Sequence, residues 1–191
     1  MANTFVVANQ KGGVGKSTIV VHTAFHFSET RKVCVVDFDG QGNTSSTLIK
    51  AFGEDGILPI NAHQLFSGAT LDITAPEGNI GLIQASPELD DVESLALETI
   101  LNPVKHFEKI TWADMIIVDT PPTLGRRLLG ALVAAHNVLT PIQPTGYATD
   151  GLERLLSTIE MVKQRFNPTL HFVGVLANKV NTKSPSQKAF M

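Results

Sequence analysis

The sequence predicts a doubly wound α/β domain, a mostly parallel sheet with helices on both faces. Three observations predict it. Six short apolar runs are continuous rather than alternating, as strands covered on both faces require. These runs alternate in order with longer stretches of helical periodicity. A glycine-rich loop directly follows the first run, where a strand gives way to a helix.

The apolar runs are Phe5–Ala8, Val33–Val36, Ile80–Ile83, Met115–Val118, Val138–Ile142 and Phe172–Ala177. Helical stretches are read at Ser17–Phe27, Pro87–Leu101, Gly125–Ala135 and Asp150–Phe166. The last carries Leu152, Leu155, Leu156, Ile159, Met161 and Val162 close to a 3.6-residue period. Ala51–Thr74 is richer in glycine and polar residues and reads as an excursion outside the main sheet. A length of 191 residues suits a single domain spanning 1–191.

Fifteen Lys and Arg against 18 Asp and Glu give a net charge of −3. With no block of like charges, a basic-tail nucleic-acid binder is disfavoured, while a local basic patch stays open. Hydrophobic residues make up 43% of the chain, enough to bury a sizeable core. The single cysteine, Cys34, excludes a disulfide framework within one chain and reads as a small core residue. No basic segment precedes the first apolar run, and no run approaches the ~18 residues that span a bilayer. The expectation is a soluble, cytosolic protein.

The chemistry begins at Asn9-Gln10-Lys11-Gly12-Gly13-Val14-Gly15-Lys16-Ser17-Thr18. Gly15, Lys16 and Ser17 fit the end of the phosphate loop G-x-x-x-x-G-K-[ST], although Gln10 stands at its first glycine. Clustered glycines let backbone N–H groups turn toward phosphate oxygens, and the following helix adds its positive N-terminal end. Lys16 is placed to reach the β- and γ-phosphates, and the Ser17 hydroxyl to ligate Mg²⁺. Such a loop binds a nucleoside triphosphate.

Lys11-Gly12-Gly13-Val14-Gly15-Lys16-Ser17 resembles the deviant Walker A motif of the ParA/MinD family of partition and positioning ATPases. The resemblance implies that Gly12 through Thr18 surround the phosphates of ATP and that Lys11 crosses a dimer interface to the partner's nucleotide. Val35-Val36-Asp37-Phe38-Asp39-Gly40-Gln41-Gly42-Asn43 looks like the family's Walker A′ segment. Asp37 and Asp39, two apart at a strand end, point the same way. By resemblance Asp39 orients the lytic water and joins the Mg²⁺ site, while Asp37 ties the strand end to the phosphate loop. Relatives usually carry proline where this chain has Gly40.

Met115-Ile116-Ile117-Val118-Asp119-Thr120-Pro121-Pro122 is similar to a Walker B strand, with Asp119 expected to hold Mg²⁺ through water. Pro141-Ile142-Gln143-Pro144, followed by Tyr147 and Gly151, resembles the family's strand–loop–helix on the dimer side. Asn178 matches the asparagine that hydrogen-bonds adenine. The resemblance covers Thr4 to about Asn181. Relatives usually continue through further helix and strand elements that the chain is expected to lack.

His22 and His26, four apart on the first helix, read as ordinary helix histidines because no H-E-x-x-H pattern surrounds them. Arg126, Arg127, Lys163, Arg165, Lys179, Lys183 and Lys188 are candidate contacts to DNA backbone without sequence preference. The resemblance therefore implies a Mg²⁺-dependent ATPase switch that dimerises on ATP binding and drives DNA, most plausibly plasmid, partition through slow hydrolysis. Its expected partners are a centromere-binding ParB-like protein and non-specific DNA, with no membrane and a cytoplasmic or nucleoid location. The alternatives are a MinD-like or protein-cargo-positioning ATPase of the same family. A biosynthetic P-loop enzyme lacks a recognisable acceptor pocket.

Overall fold

All six predicted apolar runs are strands, and a seventh joins them. The computed structural model describes residues 2–144 and 148–181, with only the backbone described at 148–150. The strands are β1 (Asn3–Val7), β2 (Val33–Asp37), β3 (Ile57–Asn61), β4 (Ile80–Gln84), β5 (Met115–Asp119), β6 (Asn137–Ile142) and β7 (His171–Ala177). They form one sheet in the order β3-β4-β2-β5-β1-β6-β7, and every pairing is parallel. Parallel strands require crossovers, which the helices supply. These are α1 (Lys16–Ser28), α2 (Asn43–Phe52), α3 (Asn102–Phe107), α4 (Arg126–Ala134) and α5 (Ala148–Arg165).

The central strands β2, β4 and β5 are buried on both faces, so successive residues enter different cores. On β2, Val33 and Val35 pack with Val20, Val21 and Ala24 of α1 and Leu48 of α2. Cys34 and Val36 point the other way, into a larger cluster with Leu128 and Leu132 of α4 and Leu155 and Ile159 of α5. Each such side chain contributes roughly 1.5–3 kcal/mol on burial. The central strand ends are thereby fixed, and their register sets the site: Asp37 pairs with Asp119, and Asp119 with Val7.

Two sequence expectations are corrected, and one helix was not foreseen. Ala51–Thr74 is not wholly outside the sheet, because β3 within it forms an edge strand beside β4. Its pattern is alternating, with Leu58 and Ile60 buried around an exposed Pro59 that cannot donate to a ladder and so suits an edge. Pro87–Leu101 is not one helix but three 3₁₀ segments, Pro87–Leu89, Asp91–Ser94 and Leu97–Leu101. Leu95 and Ala96 adopt extended backbone between the last two and break the run. Helix α2 escaped the periodicity reading because Asn43–Thr47 is made of residues that compete with the helix backbone for hydrogen bonds.

Candidate nucleotide site

At the carboxyl edge of the sheet the loop from β1 to α1 borders a pocket of about 540 Å³. The loop is turned by glycines that sit where L side chains are strained, Gly13 at φ 73° and Gly15 at φ 96°. A Cβ on Gly15 would in addition overlap the Asn178 amide. Asn9 starts the loop: its Nδ2 donates to Pro141 O at 2.7 Å, and its Oδ1 accepts from Lys11 N at 2.7 Å. At the far side Asn178 Nδ2 donates to Val14 O at 2.9 Å, and Lys179 Nζ to Gly13 O at 2.7 Å. The loop carbonyls are thus tied outward, which leaves its N–H groups as the donors available to a phosphate.

Lys16 is buried, with Nζ 3.3 Å from Lys11 O. Burial pulls its ammonium below the usual lysine range, and Asp119 and Asp39 pull it back up. Asp119 lies buried at the end of β5; burial raises its carboxyl, the Ser17 and Thr44 hydroxyls lower it, Asp39 raises it again, and Lys16 lowers it. Its Oδ2 accepts from Thr44 Oγ1 at 2.7 Å, while Oδ1 has no hydrogen-bond partner among the described residues. An orphaned buried carboxylate oxygen beside a serine hydroxyl fits a hard cation that draws its remaining ligands from water and phosphate. Among the described residues no cluster of three or more His, Cys, Asp or Glu could hold a metal unaided.

Asp37 serves a different purpose from the expected tie to the phosphate loop. Its Oδ2 accepts from Ser45 N at 2.9 Å and Ser45 Oγ at 2.7 Å, and its Oδ1 from Asp39 N at 3.1 Å. It therefore caps the start of α2 and holds the backbone of Asp39. Burial first, then Asp119, pushes its carboxyl up to about 7, against those three donors.

Gly12, Gly13, Gly15, Lys16, Ser17, Thr18 and Asp39 line the pocket, while Val14 turns its side chain into the core. Lys11 is exposed at the front of the loop. Asn178 stands against the loop backbone, leaving its Oδ1 as an acceptor. Among the described residues the candidate cations do not gather. Arg127 is buried on Glu93 and Asp90, and Arg126 is held at its N and guanidinium by Glu93. Lys163 and Arg165 end α5, which descends to the amino edge of the parallel sheet, whereas Lys179 follows β7 at the carboxyl edge. Tyr147, Lys183 and Lys188 lie outside the described residues. His22 lies on the pocket wall. Sequence reasoning missed Asn9, Thr44, Ser45 and the contact of Lys179 with Gly13. A Thr-Ser pair just after the Asp-x-Asp strand end was the available signal for two of them.

A parallel sheet, a glycine-turned loop ending in Lys-Ser and carboxylates at adjoining strand ends define a P-loop protein that handles a nucleoside triphosphate. Residues 2–172 match the family described as AAA domain. Protein IncC of Escherichia coli is 37% identical over 196 residues, covering 95% of this chain and 52% of IncC. The chromosome-partitioning ATPase Soj of Treponema pallidum is 33% identical over 194 residues, covering 96% of this chain and 74% of Soj. Among solved structures, the cobyrinic acid a,c-diamide synthase from Mycobacterium smegmatis with bound ADP and magnesium superposes with a TM-score of 0.83 at 30% identity. It covers 99% of this chain and 79% of that one. A Borrelia burgdorferi plasmid partition protein, at 19% identity and a TM-score of 0.75 over 99% and 94% of the two chains, shares the fold. The chain belongs to the ParA/MinD family of P-loop ATPases. It spans about half the length of the IncC proteins it matches.

Proposed function

We propose that the chain is the nucleotide switch of a DNA-partition system, binding ATP with Mg²⁺ and hydrolysing it slowly as a dimer. The observation that carries this reading is the convergence of Lys16, Ser17, Asp39 and the half-satisfied Asp119 on one glycine-turned loop. Likeness to IncC and Soj supports the partition role. Lys16 offers its charge to the β- and γ-phosphates, and loop N–H groups stabilise charge developing on the γ-phosphate. Asp39, held at its backbone by Asp37, orients the attacking water. Ser17, Asp39 and Asp119 would hold Mg²⁺, which when bound neutralises charge on the phosphate oxygens. Exposed Lys11 reaches the nucleotide of a second copy. The Oδ1 of Asn178 accepts from the adenine amino group, since its Nδ2 is committed to Val14.

DNA is the favoured cargo, with a ParB-like centromere-binding protein as partner and the nucleoid as location. Given the scatter of cations, a DNA-binding face would have to draw on the dimer or on residues outside those described. No described helix is long and apolar enough to cross a membrane. The reading is tested by titrating the chain with a fluorescent ATP analogue. Parent protein binds and Lys16→Ala does not, because a charge-assisted phosphate contact is removed from an otherwise intact loop. Equal affinity in the two proteins refutes the assignment.

A further inference from the structure

Arg127, the second residue of α4, is only 7% exposed, and three segments meet on its guanidinium. Nε donates to Glu93 Oε1 at 2.8 Å, and Nη1 lies 3.2 Å from Asp90 Oδ1. Both carboxylates come from the 3₁₀ stretch after β4. Glu93 Oε2 also accepts from Arg126 N at 2.6 Å, so it caps a helix whose own first turn has no acidic residue. Gly125 allows this approach, since a Cβ there would overlap the Glu93 carboxylate. At its other end the ion pair lies beside the loop after β2. A Cβ on Gly40 would stand 3.2 Å from Asp90 Oδ1 and 3.4 Å from Arg127 Nη1, so the pair lies against the backbone next to Asp39.

We propose that Arg127 is a positioning residue that straps the Asp39–Gly40 loop to the segment following Asp119, through Asp90 and Glu93. The proposal rests on the hydrolytic reading given above. Asp37 fixes Asp39 from the strand side. On the side of Gly40 the side chains nearest to a Cβ built there are those of the Asp90–Arg127 pair. A planar guanidinium can hold Glu93 with one edge and Asp90 with another, whereas an ammonium offers a single charge point. Asp90 is itself largely solvent-exposed, so the pair adds little to stability. Its consequence is geometric. A shift of about 1 Å in a group that orients water costs roughly 100-fold in rate.

The test compares Arg127→Leu, Arg127→Lys, Asp90→Asn and Gly40→Ala in the full chain. It reads kcat and KM for ATP, affinity for the fluorescent analogue, and hydrogen exchange of the amides at 40–42 and 123–125. The strap predicts a roughly 10- to 100-fold fall in kcat for Arg127→Leu with KM and affinity within about twofold, and partial rescue by lysine. Gly40→Ala keeps Arg127 yet wedges the pair away, so it lowers kcat in the same manner. Exchange quickens in both loops together. Unchanged kcat in a folded Arg127→Leu overturns the proposal, as does faster exchange confined to 123–125. Parallel loss of affinity and turnover overturns it too. If Arg127→Leu does not fold, Gly40→Ala and the exposed Asp90→Asn decide by the same criteria. A parent chain that binds ATP without turnover defeats the functional reading instead, and the exchange arm then decides the strap alone.

Discussion

Replacing Asp37 with alanine tests how the site is held together. Three donors converge on this carboxylate: Ser45 N at 2.9 Å, Ser45 Oγ at 2.7 Å and Asp39 N at 3.1 Å. Truncation strands all three in a site where Asp37 itself has no solvent exposure. Each orphaned buried donor costs about 1–3 kcal/mol, although the Ser45 hydroxyl can rotate toward another acceptor. Against this stands relief from burying a charge next to Asp119, so the net loss is about 2–4 kcal/mol. Urea denaturation of the nucleotide-free protein measures it. The same charge gives the variant a pH signature. Burial first, then Asp119, pushes the folded carboxyl up to about 7 from an ordinary 3.8, so protonation favours the fold. The Asp37 contribution is full below about 4 and lost as pH climbs through about 7. Asp37→Asn, which never ionises, therefore gains stability relative to the parent as pH rises from about 4 to about 7. Stability of Asp37→Ala within 0.5 kcal/mol of the parent, roughly the scatter of ordinary surface changes, would refute the capping role.

Two further predictions address the core and the cargo. Cys34 is fully buried and its thiol is pushed far above the usual range, so a thiol reagent should label it only as fast as the chain unfolds; rapid labelling of native protein contradicts the β2 packing. Electrophoretic shift on random duplex should appear only with ATP, weaken linearly in log affinity against log salt and ignore sequence; no shift at low salt moves the reading to protein cargo.

The phosphate loop was legible because its demands are local. Left-handed backbone at Gly13 and Gly15 selects glycine, and Lys16 and Ser17 follow directly in the chain. Asp119 was legible because a continuous apolar run carries it to a strand's carboxyl end. Where the partner is distant in sequence, the reading failed. Helix α2 is made of weak helix formers and starts on the Asp37 carboxylate eight residues away from Ser45. Arg127 looked like a surface cation until the fold brought Glu93, 34 residues earlier, to its guanidinium. Lys179 lies 166 residues from the carbonyl it holds. The edge strand β3 was hidden by the glycine and polar residues around it, while its proline suits the sheet's rim.

Sizing chromatography with ATP and Mg²⁺, run on Lys11→Ala and Asp39→Ala, tests the central claim that this is a dimerising switch. On the proposed reading the two side chains act on different things: Asp39 on water at its own nucleotide, Lys11 on the nucleotide of the partner. Asp39→Ala should therefore bind ATP, hydrolyse it far more slowly and accumulate as a dimer. Lys11→Ala should bind ATP and run as a monomer. A Lys11→Ala protein that dimerises and hydrolyses ATP like the parent would make Lys11 an ordinary surface lysine and contradict the account.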